Sequence, residues 1–498
     1  MRALALLTIL ALACAPADDP SDGQAPFTFA EPDARPDDRG PGGPARVFTD
    51  AEIGEHCGYM QSGPTSFEHH NMVAPYRGHL VFPWAAEWGI GGVTLYEADD
   101  PCNLVEVGMT EFNQMRESHA IGLKHLASGP HAGDWAVVTH LRGIMFWDLS
   151  DPTQPQPASE LELPGVLYPD SYARVVLSVF WQYPYVYVAG ADNGVYVVDA
   201  TDPTLPTLVT QVSFPSGMRA GGVFALGDRL LVTSAEQTTA ELLDISDPRN
   251  PAPFPGGRFD IADSEGRIVE AYHANMAGDY ALFARKEGGG GPILYDISDP
   301  TAPVFLADRR IDGMSGGYVF YDEGLVFTGD SNGAHIVDMT DLDNPILTHR
   351  FDLEGDLDTM TPYGNVSILS VDDEAVDGQA SAIVPHATQP DTTGPSILAV
   401  RPQDGAEGVA SSTIIGIGFN EFVDPASVFA GSVRLYVEST GEPVDGEGSA
   451  QEATAAYSPR TPLLPGTTYR LEVLEGGIVD LNGNPLESTW TSTFTTAN

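Results

Sequence analysis

Eight of the twelve histidines fall between His56 and His140, and three histidines of the chain share a local context. Glu68-His69-His70-Asn71-Met72, Glu117-Ser118-His119-Ala120-Ile121 and Glu270-Ala271-Tyr272-His273-Ala274-Asn275-Met276 each place a carboxylate one to three residues ahead of an imidazole. Neutral imidazole with carboxylate suits zinc, iron or copper, and side chains converging from separate strands can leave a metal an open position. The candidate is a divalent transition-metal site of His69, His119 and His273, with Glu117 and Glu270 as further ligands. Arg116, Arg174 and Arg219 flank equivalent stretches and offer a different chemistry, pairing with the glutamates or holding an anion. The competing reading is structural, because duplicated units inherit similar residues and an inward histidine can simply satisfy backbone groups or water. Ala173-Arg174, Ala220-Gly221 and Gly316-Gly317 occupy the corresponding places elsewhere, so the set of histidines is incomplete. Other sources of chemistry are weaker. Gly288-Gly289-Gly290-Gly291 lacks the Lys-Ser/Thr of a phosphate loop. Asp480-Leu481-Asn482-Gly483-Asn484 resembles a calcium loop without its closing Glu, and reads as a turn. No catalytic residue is assigned.

Histidines so far apart can meet only if strands bring them to a common axis, and the chain supplies such strands in repeated form. An apolar strand runs into Asp, an apolar residue, Ser or Thr, then Asp-Pro. The copies are 146–152, 197–203, 242–248 and 294–300, with looser ones at 95–101 and 336–341. The last Asp of each copy falls at 100, 151, 202, 247, 299 and 341, giving spacings of 51, 51, 45, 52 and 42. A period of about 40 to 50 residues built from short strands implies a β-propeller, one blade per repeat. Inner strands line the channel of such a ring, which is where the histidines would face one another. Asp192-Asn193-Gly194 and Ser331-Asn332-Gly333 supply hairpin turns, and the Asp and Pro of the motif suit capping and turning, so the motif itself reads as structural. A further unit over 356–386 lacks the Asp-Pro corner, and is either degenerate or completed by a strand from the N-terminal segment. Seven blades are expected, with six or eight as alternatives.

The repeats resemble the LVIVD repeat of bacterial exported proteins, over roughly 300 residues. Four copies keep Asp-x-Ser/Thr-Asp-Pro intact, and the first and sixth depart from it. The resemblance implies a propeller and no particular reaction. Residues 389–394 then read as a linker. Residues 395–498 carry Pro402-Gln403-Asp404-Gly405, Phe419-Asn420-Glu421, Leu464-Pro465-Gly466-Thr467-Thr468-Tyr469 and Asp480-Leu481-Asn482-Gly483-Asn484. About 100 residues of short strands and regular turns fit a β-sandwich, and these markers resemble the bacterial Ig-like domain of the SbsA type. That likeness implies a spacer or adhesion module. The fold class is all-β, a propeller over 46–388 followed by an Ig-like sandwich.

Residues 1–14 read as an export signal, with Arg2, an apolar run too short to span a bilayer, and Cys14 after a small residue. Ala11-Leu12-Ala13-Cys14 resembles a lipobox, although the usual pattern places Leu three residues before the Cys and a small residue two before. Lipidation at Cys14 is the expectation, plain secretion the alternative. Residues 15–45, rich in Pro, Asp and Gly, read as a disordered tether. Cys57 and Cys102 remain as a pair in an oxidising compartment, or as two buried thiols. Formal net charge is −47, which repels phosphate backbones and makes nucleic acid an unsuitable partner. Two functions follow: a lipid-anchored cell-surface or outer-membrane protein whose ring is a rigid platform for a protein or glycan, or a metal-binding propeller with a channel histidine site. Periplasmic or secreted placement is the alternative, and the lipid is the only membrane contact expected.

Overall fold

The Asp motif builds the same corner in each repeat. In the computed structural model, which describes residues 27–31, 46–61, 72–85, 89–117, 119–169, 172–214, 217–376 and 378–498, Asp199 Oδ1 accepts from Thr201 N and Oγ1 at 3.0 and 2.7 Å. Asp202 does the same for Thr204. Equivalent bonds tie Asp148 to Ser150, Asp244 to Ser246, Asp296 to Ser298 and Asp338 to Thr340. Each carboxylate thus satisfies backbone donors that would otherwise end the strand unpaired. One or two residues upstream the ladder to the next strand slips, at Leu95/Tyr96, Phe146/Trp147, Val197/Val198, Glu241/Leu243, Leu294/Tyr295 and Ile336/Val337. A bulge at this point sharpens the right-handed twist of a sheet.

Seven four-stranded antiparallel units result among the described residues, over 74–115, 122–162, 178–212, 220–260, 271–308, 319–351 and 357–385. The first two are joined by one pair, Met115 with His140. The last supplies only three strands of its own, and Gly58–Met60 completes it by pairing Tyr59 with Ala382. Apolar clusters bridge neighbouring units in turn, and the largest runs from the sixth and seventh units into the first and second. The ring is therefore closed. Inner strands such as Ser178–Gln182 are buried throughout, whereas outer strands such as Gln156–Glu162 alternate exposed and half-buried residues. Cys57 and Cys102 form a disulfide, S–S 2.11 Å, that joins the closing strand to the turn of the first Asp motif.

Residues 397–496 form the sandwich. One sheet holds Ile397–Arg401, Ile415–Phe419, Thr454–Pro459 and Gly446–Gln451; the other holds Ala406–Val409, Trp490–Thr496, Thr468–Val473 and Val433–Val437. Ile415, Ile417, Phe419, Tyr457, Leu471 and Phe494 fill the core between them. The outward positions of Ile415–Phe419 are Gly416 and Gly418, and this flat surface lies on the ring's first hairpin turns. A Cβ on Gly416 would stand 2.2 Å from Gly227 N, and one on Gly418 2.4 Å from Gly278 Cα. Trp181 N donates to Gln451 Oε1, Asn275 Nδ2 donates to Glu452 Oε2, and Phe422 packs edge-on against Phe320. The hairpin tip Gln451-Glu452 so enters the ring from one end. The expected tether needs one correction: Phe27 and Phe29, within 15–45, pack together, Phe29 lies against Tyr436, and Arg434 donates to Ala30 O. Two aromatic rings are enough to seat this short stretch on the sandwich.

Candidate functional site

At the ring's axis the structure brings His119 and His273 into one cluster. His119 stands just ahead of Gly122–Leu126, the inner strand of the second unit, and His273 lies within Ala271–Ala277 of the fifth. Tyr318, ahead of the sixth unit's inner strand, stacks on His273 with ring centroids 4.0 Å apart and lies 6.3 Å from His119. Tyr272 Oη is 3.3 Å from His119 Nδ1, and Lys286 Nζ sits 4.7 Å above the Tyr272 ring. His119 Nε2 abuts Glu117 Oε1, and Arg116 Nη2 is 4.0 Å from Glu117 Oε2. His119 is 2% exposed and His273 5%. Burial, with His119 nearby, pushes His273 down to about 3, so its imidazole is neutral. Its Nε2 has no hydrogen-bond partner among the described residues.

Glu117 and His119 are two residues apart and meet through Oε1 and Nε2. Glu270 precedes the strand Ala271–Ala277, whose ladder slips between Ala271 and Ala274. Glu270 stands away from the imidazoles, in a depression of about 340 Å³ with Glu236, Gln237 and Arg258, where burial and the Glu287 and Glu236 charges raise its pKa. His69 and Glu68 lie outside the described residues, as does Cys14. Arg219 pairs with Asp192 at 2.9 Å and lies over the Tyr172 ring, so it engages a carboxylate rather than an axial anion.

Sequence reasoning missed the acidic lining of the axis. Asp358 is pushed up to about 7 by burial and Asp356, and Asp372 is raised well above its ordinary value by burial and Glu117. Their unit lacks the Asp motif, so alignment gave them no counterparts. A second group was also missed, where ring and sandwich meet. Burial pushes Asp322 up to about 8; burial, followed by Asp322 and Asp480, pushes Glu421 up to about 10. Glu421 and Asp480 fall in motifs visible in the sequence, but nothing there says that they meet. Asp480 Oδ1 does form the expected turn, accepting from Asn482 N and Asn484 N at 2.8 Å each.

A closed all-β ring with a docked sandwich defines a propeller protein with an appended Ig-like domain. Residues 183–213 match the LVIVD repeat, and residues 391–496 match the bacterial Ig-like domain. No curated protein matches the chain. Among solved structures, the chain is similar to Raptor of Chaetomium thermophilum at 10% identity and TM-score 0.51, covering 70% of this chain and 30% of that one. The β-propeller domain of Cps50 (Swd1) from Myceliophteria thermophila gives 12% identity and TM-score 0.45, covering 66% of this chain and 98% of that one. The periplasmic gluconolactonase PpgL of Pseudomonas aeruginosa gives 11% identity and TM-score 0.48, over 64% and 88% of the two chains. At such identities the likeness is one of fold alone. The Cys57–Cys102 bond is the chemistry of an exported protein.

Proposed function

We propose that this is an exported protein, lipid-anchored through Cys14 at the bacterial outer membrane or cell surface, whose ring is a rigid recognition platform for a protein or glycan. The observation that carries the reading is the docking of the sandwich: it covers the end of the ring at the first hairpin turns and leaves the opposite face to meet a ligand. That face carries the acidic depression of Glu236 and Glu270 and the exposed side chains of Leu167, Tyr168 and Ile268. Charged and amphipathic groups on a stiff frame suit recognition without a large ordering cost.

Two variants test it. Cys14→Ser is expected to abolish palmitate labelling and release the protein from the membrane fraction; a variant still labelled removes the anchor. Glu236→Arg with Glu270→Arg is expected to abolish adhesion of cells displaying the protein to protein- or glycan-coated surfaces, at unchanged unfolding temperature. Unchanged adhesion removes the platform. A second reading, a metal-binding propeller and possible enzyme, is favoured by one observation, the buried, unpartnered His273 Nε2 beside His119. Stoichiometric zinc, iron or copper in purified protein, lost on His119→Ala with His273→Ala, is its expected signature; metal-free protein excludes it.

A further inference from the structure

The joint between ring and sandwich gathers carboxylates from separate parts of the chain. Asp391 comes from the segment linking the two domains, Glu421 follows the strand Ile415–Phe419, and Asp480 opens the turn that ends near Pro485. Each offers one carboxylate oxygen, and the three oxygens lie within 4.8 Å of one another. Asp322 and Glu323, at the first turn of the sixth unit, line the same cavity of about 360 Å³. Among the described residues no arginine or lysine forms an ion pair with any of the five. His349 and His386 line the cavity too, but burial holds both below the usual histidine range, so neither supplies charge at neutral pH.

The donors present do not balance this group. Asp480, 2% exposed, receives Asn482 N, Asn484 N and Asn484 Nδ2. Asp391 receives Thr393 N and Oγ1. Glu421 is 4% exposed, and its Oε1 is buried with no hydrogen-bond partner. A buried carboxylate oxygen without a donor is costly, and two carboxylates beside it raise that cost. A cation removes both penalties at once.

We propose that this joint binds a calcium ion, held by Asp391, Glu421 and Asp480, with the carboxyl groups of Asp322 and Glu323 beside it on the ring side. The donor set is all oxygen, which selects hard cations over zinc, copper or iron. Ligands drawn from three separate segments suit calcium, which accepts irregular oxygen shells, better than magnesium, which demands a near-octahedral one. Because the ligands span linker and sandwich while two further carboxylates belong to the ring, the ion would fasten one domain to the other. This inference is independent of the ligand recognised on the opposite face.

The test uses the full chain, stripped with a chelator and titrated with calcium chloride by calorimetry, with thermal unfolding as a second readout. The expected result is one ion per chain above the weak background of an acidic surface, and an unfolding temperature raised by several degrees. Glu421→Gln is expected to weaken binding on the order of tenfold or more. In chelator the same variant should unfold at a higher temperature than wild type, since an amide avoids the cost of protonating a carboxyl that is ionised in the unfolded chain. Asp391→Asn, on the half-buried linker, is the milder second variant and should also weaken binding. Absence of a stoichiometric calcium site, wild-type affinity in both variants, or binding of magnesium in preference to calcium would each overturn the proposal.

Discussion

Arg285→Met is expected to lower the free energy of unfolding by about 3–5 kcal/mol, the range for breaking a buried ion pair at one partner. Arg285 ends the strand Tyr280–Arg285 and is 1% exposed. Its Nη1 lies 3.1 Å from Asp263 Oδ2, and Nη2 contacts Asp308 Oδ2. Asp263 keeps Arg267 when Arg285 is removed, at 2.8 Å, but the Asp308 side chain is left with a hydrogen bond from Ser264 N, at 3.2 Å, and the more distant charge of Arg267. The pH dependence has a definite sign. Backbone and side-chain donors of Arg267, then Arg285, outweigh burial and hold Asp263 down to about 2. A carboxyl lowered on folding contributes stability above its unfolded value, and loses it as pH falls toward the folded one. The difference between variant and wild type should therefore shrink between about pH 4 and pH 2. Urea unfolding at several pH values measures it. Arg285→Met with Asp308→Leu should recover part of the loss, because an apolar pair needs no partner charge. A single variant within about 0.5 kcal/mol of wild type at pH 7 would count against the ion pair.

Gly416→Val with Gly418→Val is expected to separate the sandwich from the ring while leaving each folded. Both new side chains would meet backbone atoms, Gly227 N and Gly278 Cα, that belong to turns held by their own sheets. Such atoms cannot rotate away. Overpacking costs about 1–3 kcal/mol per site, and undocking relieves both sites together. Calorimetry of wild type should show the domains melting as one unit, and the double variant should show two transitions. Protease cleavage near 389–394 should accelerate in parallel. One transition at the wild-type temperature would mean that this contact does not hold the domains together.

The ring was legible because its signal is repeated: one Asp motif is ambiguous, but six at regular spacing are not. The role of Gly58–Met60 was only one of two possibilities, since a three-residue strand announces no partner. His119 and His273 met as the alignment of inner strands required. Glu270 did not join them: it precedes the inner strand, and the ladder slips between Ala271 and Ala274, which the alignment of residue types could not show. Least legible was the joint. Gly416 and Gly418 read as part of a sandwich strand, and their use as a docking surface depends on the absence of side chains, which leaves no pattern. Glu421 and Asp480 were visible as domain markers, but their approach to Asp391 depends on tertiary folding alone.

The disulfide changes how the circle answers a pull. Traction applied just upstream of residue 57 would otherwise fall on three residues of hydrogen-bonded strand. Cys57 instead passes the load through a covalent bond to Cys102, beside the first Asp corner, and so into the first unit. The strand closing the ring is thereby spared, and the seam becomes a riveted hoop. A reducing agent would return the tension to the few hydrogen bonds least able to carry it.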